Sequence, residues 1–547
     1  MRRCLLVWIC LLLCASACRR EAASIDPSER RIAADVAVLA SDAMEGRQTG
    51  TRGFDRAADY VAGQMRAAGL QPGGDDGTWF QTVPLLCATR VQDDARLVVL
   101  HAGKRQALRY GKDYLPAIGF AAAQTQVQAA AVFVGQGVQA PEIGHDDFAG
   151  VDVRGKIAVL FSGAPAGLDN DRRAYYSASR EKLRALAGKG AVGAVFVNTA
   201  IDEAALPWSR TVQHAQHAAM RLRDSSGRAI DAHQSLRVVA TVNAAAADSL
   251  FVGSGKNVAG LVHAAGLGLL RPFDLPARLE LAAGNRIERL QSRNVVGALR
   301  GTGSAVADER IVYTAHLDHL GIGPPVNGDR IYNGALDNAL GVAILLEAAR
   351  ELAGAPLPPK RSLLFVALTG EEQGLLGAHW FARRPPGTGR LVANINMDMP
   401  VLLAPSIDVV PIGVEHSTLQ DTLRTAAAEE GVALSADPHP EQVPFIRSDQ
   451  YAFISAGIPA VYLDGGVIAA QRGRDPRQAL QAFMRDHYHQ PSDDVRLPIV
   501  YADAARLARL NARIGRLVGD APDPPRWHAG DFFGEKFAQP AAASAMP

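Results

Sequence analysis

From Asn294 onward two hydrophobic rhythms alternate, and that alternation constrains the fold more than any other feature of the chain. Residues 311–315, 363–368, 392–397 and 460–463 are short apolar runs bounded by polar residues. Between and after them lie helical patterns: one carrying Val342, Leu345, Leu346 and Ala349, one over 417–430 stopped by Gly431, and one over 501–518. Strands that alternate with helices bury apolar surface on both faces of a mixed or mostly parallel sheet. An α/β fold class, a central sheet flanked by helices, is therefore expected.

In open sheets of this kind ligands bind beyond the carboxyl ends of the strands, so the residues that follow each strand are the informative ones. After 311–315 comes His316-Leu317-Asp318-His319, and the following loop holds Asp337-Asn338. After 363–368 comes Glu371-Glu372, after the strand ending at Met397 comes Asp398, and a late loop reads His489-Gln490-Pro491-Ser492-Asp493. Each taken alone has an ordinary reading: a surface His-x-Asp pair, a solvated Glu-Glu face, a helix N-cap at Asp337. Taken together, two imidazoles (His316, His489) and three carboxylates (Asp337, Glu372, Asp398) match what two zinc ions roughly 3.5–4 Å apart require, with one carboxylate bridging. Asp318, two residues beyond His316, can accept the proton on the second ring nitrogen. Glu371 is then spare, free to take a proton from a metal-bound water and return it to a leaving amine.

The order His316-x-Asp318, Asp337-Asn338, Glu371-Glu372, Asp398 and His489-x-Pro491-x-Asp493 resembles metallopeptidase family twenty-eight, the dizinc aminopeptidase and glutamate carboxypeptidase family. The resemblance implies a zinc-exopeptidase fold with two zinc ions per chain. His316 and Asp398 would hold one ion, Glu372 and His489 the other, and Asp337 would bridge. It also implies Glu371 as general base, Asp318 as partner of a ligand, and Tyr488 as a group that steadies the tetrahedral intermediate; a packed core tyrosine is the alternative for Tyr488. His487 reads as a loop residue and His319 as supporting or substrate-facing, while Arg447 and Asp449 read either as substrate contacts or as ion-paired residues. The implied activity is removal of N-terminal residues from peptides or small proteins. A carboxypeptidase or dipeptidase of the same family, a glutaminyl cyclase and a silent receptor-like relative are the alternatives.

The remainder of the chain divides around this core. Phe54, Ala58, Val61, Met65 and Ala68 recur at helical spacing before Gly69 and Pro72, and this helix belongs to an N-terminal part of the catalytic unit, 18–120. Between 121 and 245 the pattern changes to β-like runs at 131–134, 157–161, 192–197 and 238–242 around a helix near 181–187. With Val134-Gly135-Gln136-Gly137 and Arg154-Gly155-Lys156-Ile157 it resembles an inserted protease-associated domain, small and β-rich. The catalytic unit then resumes over 246–518, and 519–547, with Pro522, Pro524 and Pro525, reads as a loosely held tail.

Arg2 and Arg3 followed by an apolar run to Cys18 mark residues 1–17 as an export signal. Ala15-Ser16-Ala17-Cys18 resembles a lipoprotein cleavage site, which would leave Cys18 lipid-modified as the only membrane contact and Cys87 as the single remaining thiol. The expected location is the bacterial envelope, at the outer membrane, with a periplasmic or secreted protein if the site is cut without lipidation. Lys plus Arg number 57 against 56 Asp plus Glu, a balance that lacks the basic excess of a nucleic-acid binder.

Overall fold

The computed structural model describes residues 26–538; the expected export signal and the expected lipid-modification site at Cys18 lie outside the described residues, as does the end of the expected tail. Three parallel strands form the centre. Glu309–His316 lies between Ser362–Leu368 and Arg390–Asn396, and Ala460–Asp464 continues the parallel set beyond Arg390–Asn396. Asp408–Ile412 joins antiparallel at one side and the long strand Phe273–Leu299 antiparallel at the other. The sheet is mixed and mostly parallel at its core, as the alternation predicts.

Why these runs are continuous rather than alternating is visible in the packing. Ile311, Tyr313, Ala315, Leu363, Phe365 and Ala367 face the helices Pro27–Leu39, Arg52–Ala67, Gly341–Ala353 and Tyr501–Asp520. Val312, Leu364, Val366 and Leu368 face the opposite layer with Phe381 and Phe453. A strand covered on both faces has no polar side, which is how a parallel strand reads in sequence. Register then aligns the strand ends: His316 lies opposite Leu368, and Thr314 opposite Asn396. The polar residues that follow these positions leave the sheet along one edge.

Two long strands have no counterpart in the sequence reading. Phe80–His101 and Phe273–Leu299 pair antiparallel from Phe80 opposite Val295 to Leu100 opposite Arg278, broken only by an irregularity near Gly284. Through the first half of Phe273–Leu299 the sheet extends to Gln124–Phe133, Ile157–Phe161, Gly193–Val197 and Val238–Val242, the last three of these mutually parallel with the first. Helix Ser179–Gly188 lies within this region.

Residues 527–538 are held more firmly than the loose tail expected over 519–547. Trp527 bridges to Ser417 and donates its indole N–H to the Gly457 carbonyl at 2.9 Å, and Phe532 and Phe533 of the short helix Phe532–Phe537 are buried. Apolar anchors at Trp527, Phe532 and Phe533 outweigh the proline-rich stretch before them. Among the described residues no helix is long and apolar enough to cross a membrane.

Candidate metal centre

The aligned strand ends bring five of the expected side chains into one pocket. His316 Nε2 lies 2.9 Å from Asp398 Oδ1 and 3.3 Å from Asp337 Oδ1. His489 Nε2 lies 3.3 Å from Asp337 Oδ2 and 3.3 Å from Glu372 Oε2. Asp337 thus turns one oxygen to each imidazole. Its loop is held by main-chain bonds that local sequence explains: Asp493 Oδ1 accepts from Leu336 N–H and Oδ2 from Asp337 N–H, so the His489 loop clamps the Asp337 loop. The Asp337–Asn338 peptide is cis. Asp337 does not cap the following helix; its neighbour Asn338 instead accepts through Oδ1 from Gly341 N–H at 3.0 Å and also from Met399 N–H. A Cβ on Gly341 would stand 2.1 Å from Asn338 Oδ1, so only glycine begins this helix.

Electrostatics identify what the pocket lacks. Burial opposes ionisation of Asp337, yet His316 and His489 hold it well below the usual carboxylate range. Burial likewise opposes ionisation of Glu372, and His489 and His319 still draw it down to about 2. The two histidines show the mirror effect: desolvation would lower His316 and His489, but the carboxylates push both well above the ordinary imidazole value. Buried acids this crowded need positive charge close by. Donor atoms of His316, Asp337 and Asp398 all lie within 4.8 Å of one another, as do those of His319, Asp337 and Glu372. Nitrogen and oxygen donors in this ratio suit zinc. By donor chemistry and unmet charge, the residues fit a metal pair.

Several surrounding residues depart from the sequence reading. His316 Nδ1 pairs with the main-chain carbonyl of Asp318 at 3.0 Å, not with its carboxylate. The carboxylate instead accepts from Glu371 N–H at 3.1 Å, because the chain bends back after His316 and leaves its carbonyl under the ring. Asp318 therefore orients the Glu371 loop directly. Glu371 lines the same pocket; burial first, then the charges of Asp398, Glu372 and Asp449, push its carboxyl well above the usual range against the pull of His316. His319 is buried and bonds Glu372 Oε1 through Nδ1 at 2.8 Å, which makes it a supporting member of the cluster. Tyr488 stacks on the His489 ring with centroids 3.9 Å apart. His487 bonds Ser492 Oγ within its loop, as a loop residue should. Asp449 is fully buried with both carboxylate oxygens unpartnered, which excludes the ion-pair reading.

Arg47 is a residue whose role sequence reasoning missed. It is fully buried, and its guanidinium donates to the carbonyls of Leu39, Leu317, Asn333 and Gly334, tying the N-terminal segment to both metal-side loops. Burial lowers it to about 10, while Asp493, Asp337, Asp318 and Glu372 sustain its charge. It stands at the end of Glu45-Gly46-Arg47, three residues that all have positive φ.

Residues 294–514 match the model of peptidase family M28. His316, Asp318, Asp337, Glu371, Glu372, Asp398 and His489 all fall within the matched segment. A probable zinc metalloprotease of Pyrenophora teres f. teres is 40% identical over 107 residues, 19% of this chain and 22% of that protein. The aminopeptidase NAALADL1 of Mus musculus is 31% identical over 136 residues, 24% of this chain and 16% of that protein. The chain therefore matches about a fifth of the length of these curated relatives. Beyond the matched segment, the fold as a whole resembles a solved aminopeptidase from Aneurinibacillus sp. strain AM-1, at a TM-score of 0.52 and 18% identity, covering 91% of this chain and 95% of that one.

Proposed function

We propose that the protein is a dizinc aminopeptidase that hydrolyses the first peptide bond of substrates with a free amino end. The observation that carries this reading is Asp337, whose two oxygens face His316 and His489 at 3.3 Å each, the placement of a carboxylate shared between two ions. On this reading His316 and Asp398 would hold one zinc and Glu372 and His489 the other, with Asp337 available to both. Bound zinc supplies Lewis acidity toward a carbonyl and lowers the pKa of water.

The chain's own groups do the remaining work. Glu371, fixed through its N–H to Asp318, takes the proton of the attacking water and delivers it to the leaving amine. Its raised proton affinity suits both halves of that transfer, since a base that binds its proton too weakly cannot accept it and one too strongly cannot return it. Burial of His316, His319 and Asp337 excludes bulk water and strengthens each polar contact in the pocket. Tyr488, stacked on His489, is the proposed contact for the tetrahedral intermediate. From the sequence-based reading of residues 1–18 and 121–245 we further propose export to the bacterial envelope with a lipid anchor at Cys18, and a protease-associated insert.

The test compares zinc-loaded wild type with Glu371→Gln on Leu-4-nitroanilide, on its N-acetyl form and on dipeptides. Expected are two zinc ions per chain in both proteins, cleavage of free-amine substrates only, and a loss of about 10²–10⁴ in kcat in the variant. Activity restored to the stripped wild type by zinc but near wild-type turnover in Glu371→Gln would reject Glu371 as the base. Cleavage of acetylated substrates that requires a free carboxylate would move the enzyme to carboxypeptidase chemistry.

A further inference from the structure

Asp318 holds the N–H of Glu371, and part of what holds Asp318 comes from outside the matched segment. Both of its chain neighbours are tied by main-chain bonds: Leu317 N–H donates to the Leu368 carbonyl at 2.8 Å, and His319 N–H to the Arg47 carbonyl at 3.3 Å. The Asp318 stretch is therefore fastened to two segments, 47–49 and 368–371. Those segments also meet each other, through hydroxyls. Thr369 Oγ1 donates to Thr49 Oγ1 at 3.2 Å, and Ser292 Oγ lies 2.7 Å from Thr369 Oγ1. All three side chains are buried, and so is Asp318.

A hydroxyl has one hydrogen to give. Thr369 gives its own to Thr49, so Ser292 is the donor in the contact behind it, and the hydrogen of Thr49 is left over. In a buried setting an unused hydroxyl hydrogen and an unused carboxylate oxygen are both costly. Such an oxygen is at hand. Among the described residues Asp318 Oδ2 is buried with no donor in line, while Oδ1 takes the Glu371 N–H at 3.1 Å. Burial first pushes the Asp318 carboxyl up to about 6, and the Thr49 hydroxyl is one of the groups that draw it back. Thr369 itself is a fixed post: its N–H donates to Asn294 Oδ1 at 3.0 Å and its carbonyl accepts from Gly377 N–H at 2.8 Å. Gly370, at a φ of +72°, then turns the chain into Glu371.

We propose that Thr49 is a positioning residue for Glu371: Ser292, Thr369 and Thr49 form a one-way chain of hydroxyl donors that ends on Asp318 Oδ2. The inference rests on the reading of Glu371 as the base and deepens it. Each bond in such a chain polarises the next, and a carboxylate at its end sets the direction. Asp318 is left with one orientation, Oδ2 toward Thr49 and Oδ1 toward the Glu371 N–H. Without the Thr49 hydrogen that carboxylate can turn, and the Glu371 loop loses its anchor. The proposed ligands keep their places, so the loss falls on proton transfer and not on substrate binding.

The experiment measures kcat and KM of the zinc-loaded full chain on Leu-4-nitroanilide for Thr49→Val, which keeps the side-chain shape without the hydrogen, and for Thr49→Ser, which keeps the hydrogen. Thr49→Val should lower kcat about tenfold to hundredfold with KM within about twofold of wild type and the zinc content unchanged. Thr49→Ser should stay within about threefold of wild type. In a Glu371→Gln background Thr49→Val should cost less than about twofold, because the group it positions is gone. Wild-type kcat in Thr49→Val, a loss carried by KM, a loss that Thr49→Ser shares in full, or the same loss repeated in Glu371→Gln would overturn the inference. Should Thr49→Val fail to fold or to bind zinc, Ser292→Ala at the far end of the chain takes its place. It should lower kcat about twofold to tenfold with KM unchanged and have no effect in Glu371→Gln; wild-type kcat in Ser292→Ala would then overturn the inference. No cleavage of Leu-4-nitroanilide by the zinc-loaded wild type would instead reject the enzyme reading beneath it.

Discussion

Buried charge at the scale of single residues divides into two kinds here. Around Asp337 it is neutralised by neighbouring opposite charge, whereas Lys182 is buried against main-chain carbonyls alone. Its side chain is 1% exposed, and its Nζ donates to the carbonyls of Gln136 and Gly163 at 2.5 Å each. Burial lowers it to about 7, with Asp147 opposing. An unfolded lysine titrates near about 10.4, so between these values the unfolded chain binds the extra proton and the folded chain does not. Stability should therefore rise with pH from about 7 toward about 10, by up to about 1.4 kcal/mol per unit from this group, with no contribution to the slope below 7. Urea denaturation of wild type and Lys182→Met across that range checks the sign: the variant should lose this part of the slope. Equal slopes would mean that Lys182 stays charged in the fold.

Elements meet the site through close packing as much as through polar contacts. Tyr313, in the central strand Glu309–His316, donates its hydroxyl to the Asn511 carbonyl of helix Tyr501–Asp520 at 2.9 Å. The ring fits only because residue 515 is glycine; a Cβ there would stand 1.6 Å from the hydroxyl. Gly515→Ala should thus cost about 1–3 kcal/mol, read as a lower urea midpoint, by forcing strand and helix apart. An unchanged midpoint would show that the helix can shift without loss. Elements of this kind were legible in sequence because both faces are covered: the runs over 157–161 and 238–242 and the helix at 501–518 stand in the structure nearly as read. The strands Phe80–His101 and Phe273–Leu299 were not, because Pro84, Pro276, Gly284 and many exposed charges interrupt any two-residue rhythm, and their stability comes from partners far off in sequence. The site shows the same division. His316, Asp337, Glu372, Asp398 and His489 announce themselves by following strands or by motif, while Arg47 and Asp493 act on main-chain atoms. Such roles depend on tertiary proximity, which local pattern does not record.

The molecule as a whole is joined by one ladder. Phe273–Leu299 pairs at its start with Gln124–Phe133, along most of its length with Phe80–His101, and at its end with Ser362–Leu368. Heat or urea should therefore unfold both regions in one transition, and limited proteolysis should release no stable fragment corresponding to 121–245. Calorimetry with two separate peaks, or a protease-resistant fragment of that size, would show that the regions are independent. The ladder also works as a ruler. Moving one strand by a single residue along its partner would turn every side chain to the opposite face, so intermediate positions do not exist. Strand Ala219–Leu222 and the loop that carries Glu371 are hung from the same graduations. An insertion or deletion of one residue within Phe80–His101 would thus not loosen that arrangement by degrees. It would misread the scale, and the parts hung from it would no longer meet.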